Sequence, residues 1–144
     1  MNKIKLLTFF FTILFLSGCS VNKTKATVDP SANLAQVNKV FVQKFAPDER
    51  GIELLIADKF RTLGYDVSTG PLPGTQEFDV IVTYRDKWMW DITMYMLELT
   101  ITIRDPKNNF PLASGNSYHT SLSRKSPEEM VNEVVDNIYK KVNK

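Results

Sequence analysis

The amino-acid sequence predicts an α+β fold with a single, mostly antiparallel sheet of about five strands and two helices packed on one face. Residues 94–104 alternate apolar and polar side chains, as expected of an antiparallel strand with one buried and one solvated face. Two other segments carry apolar residues at helical spacing. The order strand, helix, four strands, helix buries both apolar stripes when the helices share one face of the sheet.

The first strand and helix follow from local signals. Residues 39–45 (KVFVQKF) are β-branched and aromatic, which predicts a strand. Asp48 is predicted to be the N-cap of the next helix, and Gly64 to be its left-handed C-cap. The predicted apolar side of this helix comprises Ile52, Leu55, Ile56, Phe60 and Leu63.

Four further strands and a closing helix are predicted. The strands are 65–68, 78–87, 94–104 and 112–121. In the third of these the buried face would hold Tyr95, Leu97, Leu99, Ile101 and Ile103. The opposite, solvated face would hold Met94, Met96, Glu98, Thr100, Thr102 and Arg104. The sequence Ser126-Pro127-Glu128-Glu129 predicts a capping box at the start of the last helix, with Pro127 in its first position.

The N-terminus has the features of an export signal. Two lysines and no acidic residue occupy the first five positions, and residues 6–16 (LLTFFFTILFL) are apolar but too few to span a bilayer. The following LSGC, residues 16–19, resembles the lipobox of bacterial lipoproteins. The resemblance implies cleavage between Gly18 and Cys19, a diacylglycerol on the Cys19 thiol and an acyl chain on the new amine. The alternatives are an ordinary secretory signal with an incidental cysteine and an uncleaved anchor.

This resemblance gives an expected organisation and location. Residues 1–18 would be the lipoprotein signal peptide, and 34–144 a single α+β domain. Residues 19–33 would be a lipidated flexible tether, because they are polar and lack apolar periodicity. In the lipoproteins of double-membraned bacteria, an Asp after the cysteine resembles a signal for retention in the inner membrane. Ser20 occupies this position here, so the resemblance implies export to the outer membrane. We therefore expect a lipid-anchored protein of the bacterial envelope that faces the periplasm.

Charge and motif content exclude several function classes. Removing the two lysines of the signal leaves 16 basic and 16 acidic residues, which is not the footprint of a nucleic-acid-binding protein. The usual nucleotide-binding motifs do not occur in the sequence. One histidine and one cysteine cannot build a zinc site, and the carboxylates lack calcium-loop spacing. We expect no metal and no cofactor other than the covalent lipid.

A second resemblance covers much of the mature chain. The stretches LELTITIRDPKNNFPLASGNSYHTS and SPEEMVNEVVDNIYKKV are similar to the C-terminal half of small bacterial lipoprotein families labelled only as domains of unknown function. The resemblance implies an envelope protein of unsettled activity and supplies no catalytic residue.

His119 is the candidate for catalysis. It is the only histidine, and on a strand it would share a face with Ser117 and Ser121, which would suit a small envelope hydrolase. The sequence contains no G-x-S-x-G elbow, and the spacing supplies no carboxylate to orient the histidine. We expect a structural histidine and a non-catalytic protein.

The candidate partner-binding residues lie in DKWMWDITMYM, residues 86–96, which holds both tryptophans and three of the five methionines. They are Trp88, Met89, Trp90 and Met94. One interpretation is that the two rings close the end of the core, and the other is a recognition patch for an envelope protein, peptidoglycan or lipid. Because Asp86, Lys87 and Asp91 flank the rings, we expect at least one indole to be exposed.

Overall fold

The computed structural model describes residues 22–71 and 77–143. Its strands are β1 Asn22–Val28, β2 Lys39–Gln43, β3 Asp66–Gly70, β4 Val80–Asp91, β5 Thr93–Arg104 and β6 Pro111–His119. Its α-helices are α1 Ile52–Thr62 and α2 Pro127–Val142. The α+β class is confirmed, as is the order strand, helix, four strands, helix from β2 onward.

The six strands form one mixed sheet in the order β1-β6-β5-β4-β2-β3. The pairs β1–β6, β6–β5 and β5–β4 are antiparallel, whereas β2 is parallel to both β3 and β4. The prediction of about five mostly antiparallel strands is therefore corrected: the sheet has six strands, and two of its five strand pairs are parallel. The parallel part arises because α1 carries the chain from β2 back to the start of β3, as in any β-α-β connection.

The additional strand, β1, lies in the segment predicted to be a flexible tether. It pairs with β6 along its whole length, from Asn22 opposite His119 to Val28 opposite Ala113. Its sequence, NKTKATV, reads as a loop because an edge strand needs little apolar surface of its own. The described part of the domain therefore begins at Asn22 rather than at Leu34.

Both helices cover the same face of the sheet. The core between them includes Val40, Val42, Ile56, Phe60, Val82, Leu99, Ile101, Ile103, Val131, Val134, Val135 and Ile138, all buried. Gly115 on β6 allows α2 to approach closely, because a Cβ at this position would lie 2.8 Å from a methyl group of Val134. Close packing of this helix thus depends on a missing side chain in the sheet.

A β-bulge changes which side chains of β5 reach the core. Lys87 pairs with Glu98, but Trp88 pairs with Met96, so Leu97 has no partner across the ladder. The extra residue reverses the alternation of faces beyond it. Met96, predicted to be solvated, is consequently 1% exposed and part of the core, while Tyr95 and Leu97 are also buried.

The helix ends agree with the sequence except at the start of α1. Ser126 and Glu129 form the predicted capping box, and Gly64 has the predicted positive φ of 94°. The residue at the N-cap of α1 is Gly51 rather than Asp48. The Asp48 carboxylate nevertheless reaches forward and accepts the Ile52 N–H at 2.7 Å, so it satisfies a free donor of the first turn.

Asp48 also receives a hydrogen bond from the Tyr84 hydroxyl, at 2.7 Å, which ties α1 to the central strand β4. Burial raises the pKa of Asp48, but hydrogen bonds from Tyr84 and from the backbone N–H groups of Arg50 and Ile52 outweigh this effect. The pKa is held at about 2. Burial and the bond to Asp48 raise the pKa of the Tyr84 hydroxyl above its ordinary value.

Candidate functional site

The predicted partner-binding residues lie at the end of the long β4–β5 hairpin. Trp90 pairs with Met94 and Met89 with Tyr95, so apolar side chains occupy both faces of the hairpin near its tip. Ile92 forms the tip with a φ of 61°, a conformation that β-branched residues rarely adopt. Its side chain is 86% exposed. The tip therefore combines an unfavourable backbone conformation with an apolar side chain that is largely exposed to solvent.

The two tryptophans have different environments. Trp88 is half-buried and packs against the core. Its indole N–H donates to Asp86, and the Arg50 guanidinium lies 4.3 Å from its ring centre, within cation–π distance. Trp90 is 68% exposed. Trp88 thus matches the core-closure interpretation, whereas Trp90 provides the exposed indole that the flanking charges predict.

A second segment joins the hairpin at this end. Leu122, in the 3₁₀ turn Ser121–Ser123 after β6, is 83% exposed. Arg124 connects the turn to the hairpin, because it donates to Ser121 O at 3.0 Å and to Thr93 Oγ1 at 2.7 Å. We call the exposed side chains here the apolar end surface; its members are Met89, Trp90, Ile92, Met94 and Leu122.

His119 and Ser117, the candidates for catalysis, lie in a buried cluster beneath α2. His119 Nε2 lies 2.7 Å from Glu133 Oε2, and the Ser117 hydroxyl donates to the same oxygen at 2.6 Å. The two side chains are 2% and 0% exposed. Because the serine proton points to the carboxylate and not to the imidazole, the geometry is that of a cross-link between β6 and α2. Ser121, expected on the same strand face, lies in the 3₁₀ turn beyond the end of β6.

Glu133 is the centre of this cluster. Lys125 Nζ lies 2.7 Å from its other oxygen, Oε1. Burial raises the pKa of Glu133, but hydrogen bonds from Lys125, Ser117 and His119 outweigh it and hold the pKa at about 2. On its other side, His119 Nδ1 lies 3.2 Å from Asn22 Oδ1 at the start of β1. The cluster therefore joins β1, β6 and α2.

The sheet face opposite the helices is polar. Ser114 and Thr102 lie 3.1 Å apart across the strands, and Arg104 donates to Thr83 at 3.1 Å. Asn116 donates to Glu98 and to Thr100. These side chains hydrogen-bond to one another across β4, β5 and β6.

Residues 22–71 and 77–143 contain neither a metal-binding cluster nor a membrane-spanning helix. Within these ranges no group of His, Cys, Asp and Glu side chains is arranged to hold a metal ion. No helix in the same ranges is both long and apolar enough to cross a membrane. Gly18 and Cys19, the predicted cleavage and lipidation positions, lie outside the described residues.

The fold is similar to that of PelC. In the PelC dodecamer from Paraburkholderia phytofirmans, the TM-score is 0.63 at 17% identity, covering 82% of this chain and 98% of PelC. A single-residue variant of the same dodecamer gives 0.57 at 15% identity, with 81% and 94% covered. The sequence matches no protein-family model and no curated protein. At identities of 15% and 17%, what the two proteins share is the fold.

Three contributors to these sites were not predicted. Ile92 lies within the stretch 86–96 but was not among its candidate binding residues, although an isoleucine between Asp91 and Thr93 at a tight turn was a usable signal. Leu122 carries no comparable signal, because an isolated leucine in a loop is common. Glu133 could be paired with His119 only once α2 was placed against β6.

Proposed function

We propose that this chain is a lipid-anchored protein of the bacterial envelope that acts by binding rather than by catalysis, with the apolar end surface as its binding site. Cys19 would carry the lipid, and the protein would face the periplasm from the outer membrane. The observation that carries the binding role is the exposure of Trp90, Ile92 and Met94 at one hairpin end. Tryptophan and methionine are enriched in recognition surfaces relative to the rest of a protein surface.

The buried position of His119 supports a non-catalytic role. Its two ring nitrogens already have partners in Glu133 and Asn22, and the neighbouring serine donates to the carboxylate. A nucleophilic serine needs a base that accepts its proton and a route for substrate. The hydrolase alternative would require this cluster to open.

Self-assembly is a second candidate, favoured by the similarity to PelC. PelC forms a dodecamer, and almost its whole length aligns with this chain. In that case the chain would bind further copies of itself and form an oligomer. Mass determination of the lipidated protein in detergent tests this candidate, and a monomer across the micromolar range would contradict it.

The anchor is tested by Cys19→Ala. We expect a precursor that takes up no palmitate analogue and is not cut before residue 19, because only the thiol can form the thioether. The measurement is metabolic labelling with mass spectrometry of the N-terminus, and Ser20→Ala is the matched control. Labelling of the Cys19→Ala chain would contradict lipidation at this position.

The binding site is tested by cross-linking in cells. A photoreactive amino acid at position 92 should capture an envelope component, whereas the same residue at Asn108, in the turn between β5 and β6, should capture little. Equal capture from both positions would show that the apolar end surface is not the binding site.

A further inference from the structure

We infer that the apolar end surface contacts the lipid bilayer that holds the Cys19 anchor. The inference rests on the proposed lipidation and names the partner of the proposed binding site. That partner is the boundary between headgroups and acyl chains of the anchoring membrane, rather than a groove on another protein. Three observations lead to it: where β1 begins, how far the hairpin reaches, and how its apolar side chains are distributed.

The start of β1 places the anchor at the same end of the molecule as the hairpin tip. β1 is antiparallel to β6, and β6 is antiparallel to β5, so β1 and β5 run in the same direction. Asn22 is paired with His119 in the ladder and bonded to its side chain and to Ser123. Only three residue steps separate Cys19 from Asn22, which span at most about 10 Å. The domain therefore cannot stand far from the lipid.

The hairpin reaches about as far as the anchor. Asn22 is opposite His119, and Tyr118 is opposite Glu98, so Asn22 is level with the region of Leu97 on β5. Four residues of β5 continue beyond that level to the tip, and at about 3.3 Å per residue they extend roughly 13 Å. This distance is comparable to the maximum reach of the anchoring segment. The lipidated residue and Ile92 can thus meet the same membrane surface.

The distribution of side chains suits a medium that surrounds the tip. Met89 lies on one face of the hairpin, Trp90 and Met94 on the other, and Ile92 at the turn between them. A flat protein surface would cover only one of these faces, whereas the interface of a bilayer covers both. Tryptophan is enriched at this depth, where its ring is in apolar surroundings and its N–H stays hydrated.

Charges close to the tip limit the depth of insertion. Asp91 lies next to Ile92, and Arg124 Nη2 is 4.0 Å from its carboxylate. Neither group is expected to leave the headgroup region, because burying a charge in hydrocarbon is costly. The tip therefore reaches the boundary at which interfacial apolar groups bind, about 5–10 Å into the membrane.

The test uses the full-length lipidated chain in vesicles of phosphatidylethanolamine and phosphatidylglycerol. Because the thioether consumes the only native thiol, Ile92→Cys can be labelled selectively with a polarity-sensitive fluorophore. Asn108→Cys, at the opposite end of the sheet, is the matched control. We expect a blue-shifted emission at position 92 and loss of most of its intensity when the vesicles contain brominated acyl chains. The probe at 108 should show neither effect.

The outcomes separate this inference from the proposed function. A vesicle-bound chain whose probe at 92 is unaffected by brominated lipid would overturn the inference and leave the anchor intact. A blue shift without bromine quenching, increasing with protein density, would overturn it in favour of a second copy of the chain. A chain that neither takes a lipid label nor floats with vesicles would contradict the proposed function, and the inference with it.

Discussion

Trp88 and Trp90 are two residues apart on one strand, yet their surroundings differ. Trp88 contacts the core, Asp86 and Arg50, whereas Trp90 lies beyond the part of the strand that the rest of the fold covers. An indole left 68% exposed contributes little to folding. The contribution to stability and the proposed binding role therefore fall on different tryptophans.

We expect Trp88→Ala to lower the free energy of unfolding by about 1–3 kcal/mol, because it removes packed surface and a cation–π contact. Trp90→Ala should change this free energy by less than about 0.5 kcal/mol. Urea unfolding followed by circular dichroism measures both variants. Equal losses would show that Trp90 also closes the core and would weaken the proposed binding site.

Glu133 makes the stability of the fold depend on pH in the acid range. Its pKa falls from an ordinary 4.5 to about 2 on folding, so the folded state binds the proton less well. The stabilisation is fully present above pH 4.5 and is lost as the pH falls through the window from 4.5 to 2. Its size is at most about 3.5 kcal/mol, since each pKa unit corresponds to about 1.4 kcal/mol.

We expect Glu133→Gln to be less stable than the natural protein at pH 7, with the difference shrinking toward zero near pH 2. Urea midpoints measured from pH 7 to pH 2 test this. Glu128→Gln, at an exposed position of the same helix, should follow the natural pH profile. A difference that stays constant over the range would contradict the account of the cluster.

At the scale of elements, the contact between α2 and β6 depends on Gly115. A Cβ there would lie 2.8 Å from Val134 Cγ1 and 3.1 Å from the Val134 carbonyl oxygen. The second distance involves backbone, so the helix itself must shift to make room. This contact also positions Glu133 over His119 and thereby fixes the start of β1.

Gly115→Ala should therefore destabilise the fold by about 1–3 kcal/mol through overpacking. Combining it with Val134→Ala makes room for the new methyl group, so the double variant should lose less than the sum of the two single losses. Thermal or urea unfolding of the four proteins gives this coupling. Strict additivity would show that α2 does not pack on Gly115 as described.

For the whole molecule, β1 decides how closely the domain would approach a membrane if Cys19 carries the proposed lipid. As a flexible tether, residues 19–33 would let the domain move freely above the headgroups. As a strand bonded to β6, residues 22–28 would bring the sheet close to the proposed lipidation site, Cys19. The same strand covers the edge of β6, which would otherwise offer free backbone groups for pairing.

A chain that begins at Leu34 tests the role of this strand. We expect it to melt at a lower temperature or to self-associate, because it exposes the β6 edge and loses the contacts of Ala26 and Val28 with the core. A chain that begins at Asn22 keeps β1 and serves as the matched control. Circular dichroism and analytical ultracentrifugation compare the two. Identical stability and mass would restore the tether interpretation.

The sequence alone determined those features that depend on neighbours along the chain. Ser126 and Glu129 are three residues apart, so their capping box was predictable, and Gly64 followed directly from its place after Leu63. The alternation in β5 predicted a strand with a buried face. The aromatic stretch 86–96 predicted an exposed indole, because charges lie beside it in the sequence.

Only the tertiary structure decided what depends on distant segments. β1 is a strand because β6 lies beside it, and nothing in NKTKATV itself demands pairing. The bulge at Leu97 moves Met96 into the core through the register with β4. The pairing of Glu133 with His119, and the placement of the hairpin tip at the same end of the sheet as the start of β1, depend on residues separated by many positions. Such contacts follow from the packing of whole elements, which local patterns do not encode.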